Sequence, residues 1–397
     1  MKQFEKISTL HENDKLKRNV NVDYIYRFLS SLDISAAIWM LYLGTKGISL
    51  IEIGVLEGIF HVASLICEVP TGAIADILGR KKTIVIGRLL HAVSSIIMLI
   101  SFSFWQFALG FIIQAISYNL NSGSEEALVY DSLKIIGKED NYTRINGSLN
   151  FIIEVSQGAA VLIGGILSDY SFTYSYIVAV IISLCAFSIS LLFKEPEIYD
   201  KKSEKITIKG HFKQCYKVIK SNKKIILMML YFEFIFMVGT STHFYTQKFF
   251  SDMGYSRSVI SIIYVCASIG CAIGAKYVYK IERVYKEKLI YLIPLISAGF
   301  LALYTLMKNE GTILGFILFS TSINMLYPIS SSYINKLIPS KQRATLISIE
   351  SMCFSLYMII FFPILGVVGE KVSLKISFTI LTIILFFLGI VGKKVTK

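Results

Sequence analysis

The stretch from Tyr176 to Phe193 reads YIVAVIISLCAFSISLLF and contains no charged residue. A helix that crosses the hydrocarbon core of a bilayer needs about 20 predominantly apolar residues, and this run is close to that length. A second run of the same kind, ISFTILTIILFFLGIV, extends from Ile376 to Val391. Each run predicts a transmembrane helix, so the chain is not an ordinary soluble protein.

The composition of the whole chain agrees with these two runs. Of its 397 residues, 54% are hydrophobic and 17% are charged, whereas soluble domains contain about 25% charged residues. The same composition excludes a disordered chain, a collagen-like repeat and a disulfide scaffold. The six cysteines lie mostly inside apolar stretches without metal-ligand spacing, so we expect packing roles for them and neither a metal nor a cofactor.

Further apolar runs along the chain bring the number of predicted transmembrane helices to twelve. They are expected at about 22–43, 48–70, 83–102, 104–130, 147–168, 173–193, 224–247, 257–279, 288–307, 312–335, 343–367 and 373–392. The predicted fold class is an all-α membrane protein with two six-helix bundles, 22–193 and 224–392, joined by a basic linker over 194–223. The polar ends, 1–21 and 393–397, are expected to be cytoplasmic tails.

The net charge of +13 predicts the orientation of these helices. With a cytoplasmic N-terminus, most of the 40 Lys and Arg residues fall in cytoplasmic segments. The opposite side carries only Lys46, Lys248, Arg257, Lys308, Lys371 and Lys375. This bias follows the positive-inside rule and predicts that both termini are cytoplasmic. Because the basic residues are spread over many segments, they do not predict nucleic-acid binding.

One loop carries a motif. Between the second and third predicted helices, residues Gly72 to Lys82 read GAIADILGRKK. Gly79 permits a tight turn, and Asp76 with Arg80 can form charge-assisted hydrogen bonds. The loop resembles the GxxxDxxGRK/R motif of the major facilitator superfamily. That resemblance implies a transporter fold in which this loop gates the cytoplasmic side and does not contact substrate.

The resemblance extends over most of the chain. The segments EVPTG at 68–72, SGSEEALVYDS at 122–132 and FKEP at 193–196 look like those of bacterial drug/proton-type exporters. One departure concerns helix five, where the antiporter pattern GxxxGPxxGG survives only as Gly164-Gly165. Ala160-Val161 stands where the pattern has Gly-Pro, which weakens the antiporter interpretation and leaves uptake open.

Ionisable side chains at membrane depth are costly, so each is a functional candidate. At 1.5 Å per residue, Asp33 lies about 18 Å along helix one, and Glu57 and Glu233 lie near the middle of helices two and seven. His61 follows Glu57 by one helical turn on the same face. No Lys or Arg lies at matching depth, so we expect these carboxyl groups to exchange protons during transport or to bind a cationic substrate.

Rows of polar residues on helices four, five and ten predict a water-filled central cavity, because a lipid-facing surface cannot hold such rows. The members assigned to the cavity are Gln114, Tyr118, Glu154, Gln157 and Asn324. The alternative is that these side chains hold helices together by hydrogen bonds.

A second set of residues, near the cytoplasmic helix ends, is predicted to form a gate with ion pairs. This set contains Glu68, Gly72, Asp76, Gly79, Arg80, Lys81, Glu125, Glu126, Asp131, Arg343 and Glu350. The last two belong to the second half of the chain, where they are expected to act as the others do in the first.

The leading functional interpretation is a proton-coupled exporter of the antiporter and multidrug-resistance type, moving small cationic or amphiphilic compounds by alternating access. The alternatives are proton-coupled uptake of a small metabolite and a membrane sensor. No HExxH, GxSxG or GxxxxGK[ST] motif occurs, so neither an enzyme nor an ATP-driven pump is expected. The expected partners are a small-molecule substrate, protons and the lipid bilayer, and the chain is expected to be monomeric.

Overall fold

The computed structural model describes residues 2–196, 220, 223–337 and 343–395. Helices contain most of these residues, and none of the described residues lies in a β-strand. The all-helical prediction is therefore confirmed for this part of the chain. Most of the predicted linker 194–223 and the residues 396–397 of the C-terminal tail lie outside it.

The described residues of the first half form eight α-helices. They are α1 (Lys2–Ser31), α2 (Trp39–Thr45), α3 (Leu50–Leu78), α4 (Arg80–Ile100), α5 (Phe104–Asn121), α6 (Ser124–Ile135), α7 (Tyr142–Tyr170) and α8 (Phe172–Ser190). A short 3₁₀ turn, Glu139–Asn141, precedes α7. Since α1 begins at Lys2, the predicted tail 1–21 continues into helix one without a break.

The second half forms seven further α-helices in its described residues. They are α9 (Lys223–Asp252), α10 (Arg257–Tyr285), α11 (Leu289–Leu306), α12 (Glu310–Asn324), α13 (Leu326–Leu337), α14 (Arg343–Lys371) and α15 (Leu374–Val395). A 3₁₀ turn, Lys286–Lys288, connects α10 to α11.

Nine stretches within the described residues are long and apolar enough to cross a membrane. One of them, Arg257–Leu306, contains both α10 and α11. The two predicted runs outside these stretches, 22–43 and 104–130, are helices one and four, and both are interrupted.

Helix one is interrupted between Ser31, the last residue of α1, and Trp39, the first of α2. Within the break, Asp33 Oδ1 accepts hydrogen bonds from the Ser35 backbone N–H (3.0 Å) and from Ser35 Oγ (2.6 Å). Short polar side chains of this kind compete with helical backbone hydrogen bonds. Ile34 is fully buried, so protein encloses the irregular backbone, as membrane depth requires.

Helices four and ten are also divided. Gly123 separates α5 from α6 with a φ of 73°, a left-handed conformation that glycine adopts without steric cost. The charged segment of helix four, from Ser124 onward, therefore belongs to a separate short helix. In helix ten, Met325 alone separates α12 from α13.

The described residues form two compact units. The first contains the residues up to Ala36 and those from Ala63 to the linker. In its core, the rings of Tyr26 and Phe193 meet edge to face with centroids 5.1 Å apart. Polar contacts also join its helices, because Ser156 Oγ on α7 donates to the Phe28 carbonyl of α1 at 2.5 Å.

The second unit combines Ala37–Val62 with the residues after the linker. Its part of α3 packs closely on α14, since a Cβ atom on Gly54 would lie 2.9 Å from Pro363 Cα. The Ile51 N–H at the start of α3 donates to Glu370 Oε2 at 2.8 Å. The predicted bundle boundaries, 22–193 and 224–392, stay a prediction.

Candidate functional site

A pair of carboxyl groups lies inside the second unit. Glu233 on α9 and Glu350 on α14 lie close enough for their carboxyl groups to interact directly. Glu233 is only 6% exposed, and Glu350 is half-buried. Two adjacent carboxylates repel each other, which favours a bound proton on one of them. Glu233 was predicted as a cavity residue and Glu350 as a gate residue, and the structure brings them together.

Aromatic rings lie beside this carboxyl pair. Phe234, next to Glu233 in the chain, stacks on Tyr357 of α14 with ring centroids 4.7 Å apart. Phe236 stacks on Tyr327 of α13 at 3.9 Å. The faces of aromatic rings attract cations. The carboxyl pair and these aromatic rings occupy neighbouring positions on α9, α13 and α14.

A second buried polar cluster lies where α3 meets α14. His61 Nε2 lies 3.5 Å from Glu57 Oε1, and His61 Nδ1 lies 3.4 Å from Ser355 Oγ. The rings of Phe60 and Phe354 flank the imidazole edge-on. Glu57 and His61 are 8% and 7% exposed. Because a histidine has two ring nitrogens, it can pass a proton from a carboxyl group to a hydroxyl group.

The other cavity candidates are less enclosed. Asp33 is half-buried in the break of helix one, where it binds Ser35. Asn324 donates to the Ser320 carbonyl of its own helix at 3.0 Å. Of the remaining members, Gln114 is half-buried, whereas three are exposed: Tyr118, Glu154 and Gln157.

Part of the predicted gate is well defined at the start of α4. Arg80 Nε lies 3.9 Å from Asp131 Oδ2. Burial raises the pKa of Asp131, and the positive charges of Arg80 and Lys134 act in the opposite direction. The carboxylate of Glu195, just after α8, accepts hydrogen bonds from the backbone N–H groups of Arg80 and Lys81, both at 2.7 Å. A carboxylate at this position stabilises a helix N-terminus.

The remaining gate residues occupy different environments. Gly79 precedes α4 with a φ of 92°, and a Cβ atom there would lie 2.7 Å from the Glu195 carboxyl group. Glu68 is half-buried, whereas Gly72 and Glu126 are exposed. The side chains of Asp76 and Arg343 lie outside the described part of the structure.

A buried charge cluster that was not predicted from the sequence surrounds Glu125. Its Oε2 accepts from Arg27 Nη1 and its Oε1 from Arg88 Nη2, each at 2.6 Å. Tyr26 Oη also donates to Oε1 and accepts from Arg88 Nε at 2.5 Å. The partners of Glu125 are therefore arginines on α1 and α4 and not the basic residues of the loop at 72–82. Two arginines in apolar runs were the available signal, because arginine at membrane depth requires a partner.

No group of three or more His, Cys, Asp or Glu residues that could hold a metal ion occurs in the part of the chain that the structure describes.

Membrane-spanning helices with buried carboxyl and arginine side chains are typical of secondary transporters. The chain belongs to the Major Facilitator Superfamily, whose family model matches residues 24–349 and 250–395. It is therefore a membrane transporter of that superfamily, as the motif at 72–82 predicted.

Two curated bacterial relatives illustrate the breadth of this family. The "Uncharacterized MFS-type transporter YxaM" of Bacillus subtilis is 25% identical over 381 residues, which cover 89% of this chain and 90% of the relative. The "Quinolone resistance protein NorA" of Staphylococcus aureus is 23% identical over 336 residues, covering 82% and 84%.

Solved structures show the same fold. A mutant of the nucleoside transporter NupG superposes with a TM-score of 0.83 at 14% identity, covering 96% of this chain and all of NupG. The D-xylose-proton symporter superposes with a TM-score of 0.75 at 13% identity, covering 94% and 96%. The predicted major facilitator fold is confirmed.

Proposed function

We propose that this transporter is proton-coupled and exports small cationic or amphiphilic compounds by alternating access. The observation that carries the proposal is the close approach of the Glu233 and Glu350 carboxyl groups inside the second unit. Because two adjacent carboxylates repel each other, the pair favours one bound proton, and it gains negative charge when that proton leaves. A proton and a cationic compound then compete for the same carboxyl groups, as exchange of one for the other requires.

The stacked rings of Phe234 and Tyr357 support an aromatic or amphiphilic cation as substrate. Apolar contact and cation–π attraction would add to the charge of Glu233. Asp33, Glu57 and His61 are proposed as additional groups for the proton, and Arg80 with Asp131 as part of the cytoplasmic gate.

Export is favoured by the relative named for quinolone resistance, which aligns over most of this chain. The second candidate is proton-coupled uptake of a small metabolite. It is favoured by Ala160-Val161, which replaces the Gly-Pro of the antiporter pattern in helix five. For either direction, we propose a monomer in the bacterial plasma membrane with both termini in the cytoplasm.

The experiment uses the purified full chain in liposomes and ethidium as an aromatic cation. With an acidic interior, an antiporter should drive ethidium into the vesicles as protons leave. Glu233→Gln and Glu350→Gln should abolish this accumulation, because neither variant retains a carboxyl pair. Glu310→Gln, an exposed acid in the first turn of α12, is the matched control and should transport like the native protein.

The direction of the gradient separates the two candidates. Accumulation only with an acidic exterior would identify symport and support uptake. Ethidium accumulation that does not depend on the proton gradient, or full activity of both Gln variants, would contradict proton coupling at this pair. Failure to move ethidium under either gradient would contradict the proposed substrate class.

A further inference from the structure

Asp23 on α1 is buried more completely than any other acidic side chain whose exposure is described, at 1%. Neither of its carboxyl oxygens accepts a hydrogen bond from a described residue. Val22, Leu128 and Phe193 of the adjacent hydrophobic core are also buried. A buried carboxyl group therefore lies without the hydrogen-bond donors that normally accompany buried carboxylates.

The guanidinium beside Asp23 belongs to Arg27 and is hydrogen-bonded to another carboxylate, Glu125. Arg27, one turn further along α1, places Nε 3.5 Å from Asp23 Oδ1, and this Nε donates no hydrogen bond to a described residue. Its Nη1 donates to Glu125 Oε2 at 2.6 Å. Arg27 thus lies between two acids and is hydrogen-bonded to only one of them.

Glu125 has donors that Asp23 lacks. In addition to Arg27, it accepts hydrogen bonds from Arg88 and from Tyr26. A buried carboxylate is stable as an ion when it is paired and hydrogen-bonded, and it is strongly disfavoured when it is not. The cluster therefore suits an ionised Glu125 and a protonated, neutral Asp23.

Among the described residues, Glu125 and Tyr142 are the groups on other elements that interact with Asp23, and neither is a cation. Tyr142 at the start of α7 lies close enough to interact with the charges of Asp23 and Arg27. Glu126 on α6 contributes a further negative charge near Arg27. Arg88 on α4 is bound by Glu125 and Tyr26. Ionised Asp23 would therefore have to compete with Glu125 for Arg27.

We propose that Asp23 is a proton-binding site of this transporter, separate from the Glu233–Glu350 pair, and that its ionisation draws Arg27 away from Glu125. The carboxylic acid releases its proton to water, and the resulting carboxylate becomes a second acceptor for the Arg27 guanidinium. Because Arg27 connects α1 to α6 through Glu125, loss of this proton changes the hydrogen bonds between those two helices. Proton binding at Asp23 is inferred from these contacts alone, whereas the role of Asp23 in transport rests on the proposed function.

Infrared difference spectroscopy of the full chain in liposomes tests proton binding directly. A pH titration should show the C=O stretch of a protonated carboxyl group that is lost in Asp23→Asn and restored, at a shifted position, in Asp23→Glu. Asp140→Asn makes the same chemical change at an exposed position in the 3₁₀ turn before α7 and should leave the band intact. Asp23→Ser serves as a second variant if the Asn protein is obtained in low yield. An unchanged band in the Asn and Ser variants would overturn the proposal.

The transport assay then separates this inference from the proposed function. Asp23→Asn should flatten the pH dependence of gradient-driven ethidium transport, whereas Glu233→Gln should abolish that transport. If the native protein is proton-driven and Asp23→Asn retains both the band and the native pH profile, the Asp23 site is refuted and the proposed function stands. If the Asp23 band titrates in a protein whose transport ignores the gradient, the site is supported and the proposed function is refuted.

Discussion

At the scale of single residues, Glu125 organises the charges inside the first unit. It accepts hydrogen bonds from Arg27, Arg88 and Tyr26, and all four side chains are largely enclosed. The guanidinium of Arg88 also lies over the ring of Tyr26, 5.1 Å from its centroid. Because both arginines depend on this one carboxylate, its removal would leave two buried cations without their main partner.

We therefore predict that Glu125→Gln strongly destabilises the protein. Loss of one member of a buried ion pair typically costs about 3–5 kcal/mol. The measurement is the Tm of the purified protein in detergent, and Glu125→Gln should lower it by several degrees. Glu126→Gln changes the adjacent but exposed residue and should leave the Tm near that of the native protein. Equal Tm values for the two variants would show that the cluster is not structural.

Depth in the membrane was enough to single out Asp33, Glu57 and Glu233 from the sequence. Depth did not reveal that Glu350 is the partner of Glu233, or that Asp23 is buried. Asp23 lies at the predicted boundary of helix one, where a carboxyl group would ordinarily reach water. Its burial results from the packing of neighbouring helices on α1, which no single stretch of sequence encodes.

At the scale of the elements, the break in helix one depends on a close approach of α7. Gly164 faces the Ile34 carbonyl group, and a Cβ atom at this glycine would collide with the carbonyl oxygen. Gly164 also belongs to the remnant of the antiporter pattern in helix five. In the structure, the absence of a side chain at Gly164 leaves space for the irregular backbone of helix one.

Two glycines of the same helix provide a matched test of that contact. In an open helical position, Gly→Ala favours the helix by about 1 kcal/mol, and Gly158 has nothing within 4 Å of an added Cβ atom. Gly158→Ala should therefore maintain or raise the Tm. Gly164→Ala should lower it, because overpacking typically costs about 1–3 kcal/mol.

Thermal unfolding of both variants in the same detergent measures the difference. A Tm for Gly164→Ala at or above that of Gly158→Ala would mean that the break in helix one relaxes without cost. The sequence predicted helices one, four and ten as continuous because their hydropathy is continuous. The interruption of helix one involves local side-chain hydrogen bonds and that of helix four involves a glycine at positive φ, and hydropathy reports neither.

At the scale of the whole molecule, the basic residues predict how the chain is inserted. Most of the 40 Lys and Arg residues lie in segments assigned to the cytoplasm, against a few on the other side. Retention of positive loops in the cytoplasm sets orientation during insertion. The net charge of +13 is therefore interpreted as a sign of topology and not of an anionic partner.

Reporter fusions to the full chain test this orientation. A green fluorescent protein fused after Lys397 should fluoresce, and alkaline phosphatase fused at the same position should be inactive, because the C-terminus is predicted to be cytoplasmic. Alkaline phosphatase fused after Lys308, in a predicted external loop, should be active. The opposite pattern at the two positions would reverse the proposed orientation.

Hydropathy, loop charge and the motif at 72–82 are properties of consecutive residues, so the sequence was sufficient to predict a helical membrane transporter. The contacts between charged groups, in contrast, became visible only in the folded chain. Glu233 and Glu350 come from α9 and α14, and Glu125 joins α6 to arginines on α1 and α4. Such contacts depend on how each helix is rotated and where it is interrupted, and these features are fixed by packing between distant segments.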